Sequence, residues 1–284
     1  MKTSKLVKSI KKVIHYAYLT YQRLFPINRG KYRLGVMIDK LIGKVEYSVG
    51  NVRLLLSPVS LIDKKLITGE GHDENVIATI REALQNGGNF IDVGANIGYM
   101  SLVAAKQIEN RGFVYSFEPS PREFSRLLDN IVLNKLDNIF PIAKGIGKEY
   151  QLDSLYLCNM GNHGMNSRHL EHVGSQKVEV EFASVKSQVP EIELRKVRCV
   201  KIDVEGDEYS VLEGFADVME LLQQCVFIVE ITKSYLDKAG KKPEDIYSFF
   251  KYYSFLPTLS SGSKPLYESS EQYDEIFSYD PRQE

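Results

Sequence analysis

Four groups of residues in this chain have types and spacing suited to chemistry. In NFIDVGANIGYM, Asn89 to Met100, an apolar run ends on Asp92 and turns through Gly94 and Gly98 into a second apolar run. Such a turn presents backbone N–H groups and a helix N-terminus to whatever sits in the crevice. Glu118 closes the next apolar run, VYSFEP, about two dozen residues on, where an acid can accept hydrogen bonds from ribose hydroxyls. VKIDVEGDEYSVLEGF crowds Lys201, Asp203, Glu205, Asp207 and Glu208 where a strand pattern becomes a helical one. Finally, CNMGNHGMNSRHLEH carries His163, His169 and His172 in a stretch without hydrophobic periodicity, which reads as a loop over the crevice.

The turn is not the dinucleotide fingerprint G-x-G-x-x-G, because Asn96 stands where the second glycine would admit a pyrophosphate, and the Asp92 carboxylate would repel one. A ligand with a positive group near Asp92 and no phosphate fits better, and S-adenosylmethionine has both properties. The expected cofactor contacts are Asp92, Gly94, Ala95, Asn96, Gly98, Glu118, Pro119, Ser120 and Asp203, with Lys144 and Gly145 beside the adenine by position only. Asp203, Glu205 and His163 are the candidate general bases. Simpler roles compete: a tight strand-to-helix turn also uses glycine, Asp207 and Glu208 suit a first helical turn, and His163 can sit in a plain surface loop. No carboxylate group has a clear metal-ligand spacing, so no metal is expected.

Short apolar runs alternating with helical patterns from Glu74 onward specify an α/β fold: a Rossmann-like, mostly parallel sheet with helices on both faces. In such a sheet ligands lie beyond the carboxyl ends of the strands, where Asp92, Glu118, Asp203 and Glu230 should converge. Residues 1–70 read as a lead-in, with a hairpin turning at Gly50-Asn51, and residues 71–284 as the ligand-binding domain. In the leader, Leu6, Ile10, Val13, Ile14, Ala17, Tyr21 and Leu24 share one helical face and Lys5, Lys8, Lys11 and Lys12 occupy the rest. The expected role is a cap on the main domain or a dimer contact, and adsorption to an anionic membrane is the alternative.

The net charge of −1 gives no footprint for nucleic acid, and three unpaired-looking cysteines argue against a disulfide framework. No run of eighteen apolar residues is present, so the chain reads as cytoplasmic, with peripheral contact to the inner face of the membrane as a variant of that reading.

FIDVGANIGYMSLVAA, FEPSPREFSRLLDNIVLN, VKIDVEGDEYSVLEGF and IVEI together resemble the FkbM-type family of S-adenosylmethionine-dependent methyltransferases, over roughly Glu74 to Glu230. The lead-in FPINRGKYRLGVMIDKL is similar to bacterial members. The resemblance implies a class I methyltransferase fold and O-methylation of a sugar, a glycan or a related metabolite. A non-catalytic cofactor-binding module and a nicotinamide oxidoreductase stand as alternatives.

Overall fold

Successive side chains of a strand point to opposite faces, so a strand covered on both sides must feed two cores. That is the case for β3 (Asn89–Val93), buried at every position: Phe90 packs into one apolar cluster, while Ile91 and Val93 pack into the other. The structure, a computed structural model, describes residues 2–25, 30–70, 73–158, 166–169, 175–258 and 270–283.

Before β3 come α1 (Lys2–Leu24), α2 (Lys31–Ile42), the hairpin β1 (Val45–Val49) and β2 (Val52–Leu56), α3 (Leu61–Thr68) and α4 (Glu74–Ala83). After it run α5 (Tyr99–Ile108), β4 (Val114–Phe117), α6 (Pro121–Asn134), β5 (Ile139–Ile142), β6 (Gly145–Ile146), β7 (Gln151–Leu157) and β8 (Gln176–Ala183). Two short helices, α7 (Val185–Gln188) and α8 (Glu191–Leu194), lead to β9 (Val197–Ile202), α9 (Glu208–Phe215), β10 (Val226–Thr232), α10 (Lys233–Lys238), α11 (Pro243–Tyr252), β11 (Phe255–Pro257) and β12 (Gln272–Tyr279).

The main sheet has the order β11-β12-β10-β9-β3-β4-β5, and β12 alone runs against the others. The chain leaves β3 toward β4 and β5, then returns to the other side of β3 for β9 and β10. The strand order therefore reverses between β3 and β9, and a crevice opens beyond their carboxyl ends. This is the expected α/β architecture. In the insertion between β5 and β9, β7 and β8 pair antiparallel, and with β6 they form a separate three-stranded sheet; the expected loop, Cys158 to His172, falls between β7 and β8 and lies mostly outside the described residues.

The hairpin turns at Gly50-Asn51 as expected, with Val49 opposite Val52. Its free edge is satisfied by α6. Asn130 Oδ1 accepts from Leu55 N at 2.8 Å, Asn134 Oδ1 accepts from Arg53 N at 2.9 Å, and Asn134 Nδ2 donates to Arg53 O at 2.6 Å. Two asparagines one helical turn apart thus take the place of a neighbouring strand. A buried ion pair, Arg126 with Asp63 at 2.6 Å, ties α6 to α3.

The leader packs on the hairpin through the face that carries its lysines. α1 turns His15, Tyr18 and Leu19 to the body, with His15 Nδ1 3.1 Å from Tyr47 Oη, and leaves Leu6, Ile10, Val13 and Leu24 in solvent. The helix is amphipathic, but its apolar face points away from the hairpin. The physical reason lies in the opposite face, where Lys8 pairs with Glu46 at 2.9 Å, Lys11 Nζ donates to Ile42 O at 2.5 Å and Lys12 lies over the Tyr47 ring.

Asn130 is fully buried and serves two backbone groups, Leu55 N and Ile97 O at 2.8 Å. Asn130→Ala leaves both unpaired, at about 1–3 kcal/mol for each orphaned group. The loss is read from the urea midpoint, and an unchanged midpoint would show that the amide is not what holds the hairpin.

Candidate functional site

The turn after β3 is shaped by close approach. Gly94 has φ +82°, and a Cβ there would stand 1.8 Å from the Asp203 carbonyl oxygen. Gly98, at φ +88°, faces Leu127 in the same way, at 2.4 Å. The two glycines expected to make room for a ligand therefore first make room for the end of β9 and for α6. Asn96 also takes a positive φ of 52°, which aims its N–H at Glu118 Oε2, 2.7 Å away.

Around this turn lies a cleft of about 410 Å³, within the range of small-molecule sites. Asp92, Gly94, Ala95, Asn96, Glu118, Pro119, Gly145, Asp203 and Glu205 line it, and Glu230 joins them from β10. Gly98 sits just behind, as the N-cap of α5. Ser120 is fully buried beneath the rim, where its N–H donates to Glu118 Oε1 at 2.9 Å and its hydroxyl bonds Glu123. Lys144 is not among the lining residues, because its ammonium pairs with Glu181 at 3.0 Å. His163 and His172 lie outside the described residues. His169 Nε2 is 3.2 Å from Asp207 Oδ1 and is not part of the lining.

Several lining groups were not foreseen. Gln272 and Asp274 enter from β12, Tyr235 from α10 and Arg168 from the segment before β8. Asp274 lies opposite Glu230 in the β10–β12 ladder, and Gln272 donates to Glu230 Oε1. Arg168 reaches Asp207 at 2.8 Å and also binds Asp153, while Ser167 Oγ donates to Glu205 O at 3.0 Å, so Ser167 and Arg168 brace the turn after β9.

Acids dominate the electrostatics. Burial raises the Asp92 carboxyl above its ordinary range against the opposing pull of Lys201; Ser101 holds Oδ2 at 2.5 Å while Oδ1 is buried without a partner. Burial likewise pushes Glu118 up to about 8, its two backbone N–H bonds opposing the shift. Asp203 goes the other way: burial works against it, but Lys201 Nζ at 2.6 Å holds it ionised. The charge on Asp203, followed by burial, drives Glu230 up to about 10, so Glu230 carries the proton the two share. Burial and then Asp203 push Glu205 to about 8, and burial brings Asp274 to about 6. Among the described residues no group of histidines, cysteines or acids could hold a metal ion, and Cys158, Cys199 and Cys225 are free thiols.

The residues present fit a cationic, phosphate-free nucleoside. An orphaned carboxylate oxygen on Asp92 awaits a donor, and Glu118 has lone pairs left for hydroxyls after its two N–H bonds. Strand order, cleft position and these acids define the class: a Rossmann-like, class I methyltransferase fold. Residues 92–257 match the family described as Methyltransferase FkbM domain. The chain belongs to that family, whose expected cofactor is S-adenosylmethionine.

The hexuronic acid methyltransferase AglP of Haloferax volcanii is 26% identical over 177 residues, covering 61% of this chain and 66% of that protein, just under two thirds of its length. Among solved structures, a methyltransferase FkbM of Methylobacillus flagellatus is similar at 12% identity and TM-score 0.44, over 68% of this chain and 44% of the other. TYW2 of M. jannaschii, solved with AdoMet, is similar at 14% identity and TM-score 0.44, over 84% and 87%.

The raised carboxyls make stability depend on pH. Folding retains protons on Glu118 and Glu208, both pushed to about 8 mainly by burial, that the unfolded chain releases near its ordinary carboxyl value. Their contribution is present below that value and is lost as pH rises through about 8. The ligand-free protein should melt at a lower temperature at pH 8 than at pH 5.5, and Glu118→Gln should flatten the fall. A melting temperature that climbs over this window would contradict the assignment.

Proposed function

We propose that the chain transfers a methyl group from S-adenosylmethionine to a hydroxyl of a sugar, a glycan or a related metabolite. The observation that carries this reading is the meeting, in one cleft, of the unpartnered Asp92 oxygen and Glu118 on the β3–β4 side with Glu205 on the β9 side. When bound, the cofactor supplies an electrophilic methyl on a sulfonium. In the proposed arrangement Asp92 takes the amino group, Glu118 the ribose hydroxyls, and the turn from Gly94 through Asn96 the intervening atoms. Ala95, Gly98, Pro119, Ser120 and Gly145 shape that half of the cleft, and Asp203 fixes its floor.

The acceptor then lies over β9, β10 and β12. Two of the three candidate bases can be weighed from their surroundings. Asp203 is committed to Lys201 and shares a proton with Glu230, so it orients the site. Glu205 has no side-chain ion pair at 4 Å among the described groups, holds an unusual positive φ of 55°, and changes charge near pH 8. We assign it the role of taking the hydroxyl proton, as a base whose pKa is near the working pH is most effective. Positioning of nucleophile and methyl group supplies the larger share of the rate.

Glu230, Gln272 and Tyr235 can both accept and donate hydrogen bonds at neutral pH, and Asp274 accepts them, which suits an acceptor rich in hydroxyls. The relative's printed name adds weight to a sugar. A free uronate is less well matched here, because its carboxylate would meet the acids Asp274 and Asp203 that line the cleft. The same acidity opposes a phosphate backbone, so nucleic acid is not the proposed acceptor. We place the enzyme in the cytoplasm, peripheral to the inner face of the membrane.

Incubation with methyl-labelled S-adenosylmethionine and a panel of neutral sugars and glycans tests the reading. With the best acceptor, kcat/KM should rise with pH toward a plateau above about 8. Glu205→Gln should lower it by about 10² to 10⁴-fold and abolish that limb. Turnover that is unchanged in Glu205→Gln would remove Glu205 from the chemistry.

A further inference from the structure

We propose that the outward face of α1 is a docking surface for anionic lipid, which deepens the peripheral placement above and does not depend on methyl transfer. Two observations converge on it. The first is exposure on a single arc of the helix: Leu6 is 63% exposed, Ile10 51% and Val13 66%, with Ile14 beside them and Leu24 about three turns beyond. Successive positions separated by three, four or seven residues share a stripe on an α-helix. Here that stripe lies opposite His15, Tyr18 and Leu19, which are buried on the body. A helix that only capped the domain would turn its aliphatic stripe inward.

The second observation is charge. Residues 1–44 contain eleven lysines and arginines and one acid, Asp39, a formal charge of +10 in a chain whose total is −1. The remaining 240 residues therefore carry −11, the two parts covering the whole chain. Arg23, Arg33, Lys40 and Lys44 are exposed, and α2 adds exposed Met37 and Leu41 one turn apart. A net acidic body is repelled by an anionic membrane, whereas the basic amino-terminal part is drawn to it, so charge alone orients the molecule with α1 toward the surface.

The combination selects the partner. Phosphates of nucleic acid would answer the charge but would leave Leu6, Ile10 and Val13 in water. A second copy could cover the stripe but would bring two segments of charge +10 together. A bilayer with anionic headgroups satisfies both at once, the side chains entering the acyl boundary and the exposed Arg23, Arg33, Lys40 and Lys44 reaching the headgroups. No helix among the described residues is long and apolar enough to cross a membrane, so the contact is one of lying on the surface.

Co-sedimentation of the full chain with vesicles provides the test, using phosphatidylcholine alone and phosphatidylcholine mixed with phosphatidylglycerol. The expected result is binding to the mixed vesicles only, weakened by salt and reduced about tenfold or more by Ile10→Asp with Val13→Asp. Both positions are exposed, so circular dichroism and melting temperature should be unchanged; Leu6→Asp serves as a second variant should the pair disturb folding. Light scattering and a tRNA gel shift run on the same samples. No vesicle binding, binding that ignores the substitutions, a dimer broken by the substitutions without vesicle binding, or tRNA binding in place of vesicle binding would each overturn the proposal. Loss of turnover with intact vesicle binding would count against the enzymatic reading and leave this one standing.

Discussion

The backbone after β9 packs directly against the turn after β3. Asp203 N donates to Val93 O at 3.0 Å, carrying the parallel ladder one residue past the strand ends, and Gly94 admits the Asp203 carbonyl where any side chain would collide with it. Because two strands are locked in register up to their last residue, Asp92 lies beside Lys201, with Asp203 two residues further on. Position of the acids is therefore a consequence of backbone packing and not of the acids' own charges, whose repulsion at such spacing would drive them apart. That rigidity is what a site needs if it is to hold a ligand's charge without rearranging.

From this arrangement the electrostatics follow. Lys201 is a buried cation shared chiefly between Asp203 and Asp92, whose pull outweighs the burial that would otherwise lower its pKa. One cation cannot neutralise Asp92, Asp203, Glu205, Glu230 and Asp274, so protons make up the difference and several carboxyls titrate far above their ordinary range. A ligand bearing positive charge can take the place of those protons. A pyrophosphate would add negative charge to a cleft that already protonates its acids to limit it.

Much of this was legible in the residues. The strand and helix alternation and the acids Asp92, Glu118, Asp203, Glu205 and Glu230 follow from local pattern, because each acid stands within a few residues of a glycine turn or strand end. Gln272 and Asp274 do not, since antiparallel β12 is threaded between β10 and β11 from far along the chain, and only the tertiary pairing brings its first residues to the rim. Lys144 was placed by sequence position, but Glu181 on a strand beyond the turn claims it. The leader's amphipathicity was visible while its orientation was not: period alone identifies the apolar face, and the ion pair, backbone bond and ring contact of Lys8, Lys11 and Lys12 decide that the other face packs. The role of glycine in the opening turn was visible only in part, for the nearest atom to Gly94 belongs to the protein.

An acid-lined cleft of this kind should take a cationic nucleoside and not a dinucleotide. Calorimetric titration of the purified chain with S-adenosylmethionine and, separately, with NAD addresses it directly. Saturable binding of S-adenosylmethionine at one site is expected, accompanied by proton release as the raised carboxyls ionise, with no binding of NAD. Binding of NAD with none of S-adenosylmethionine would contradict it.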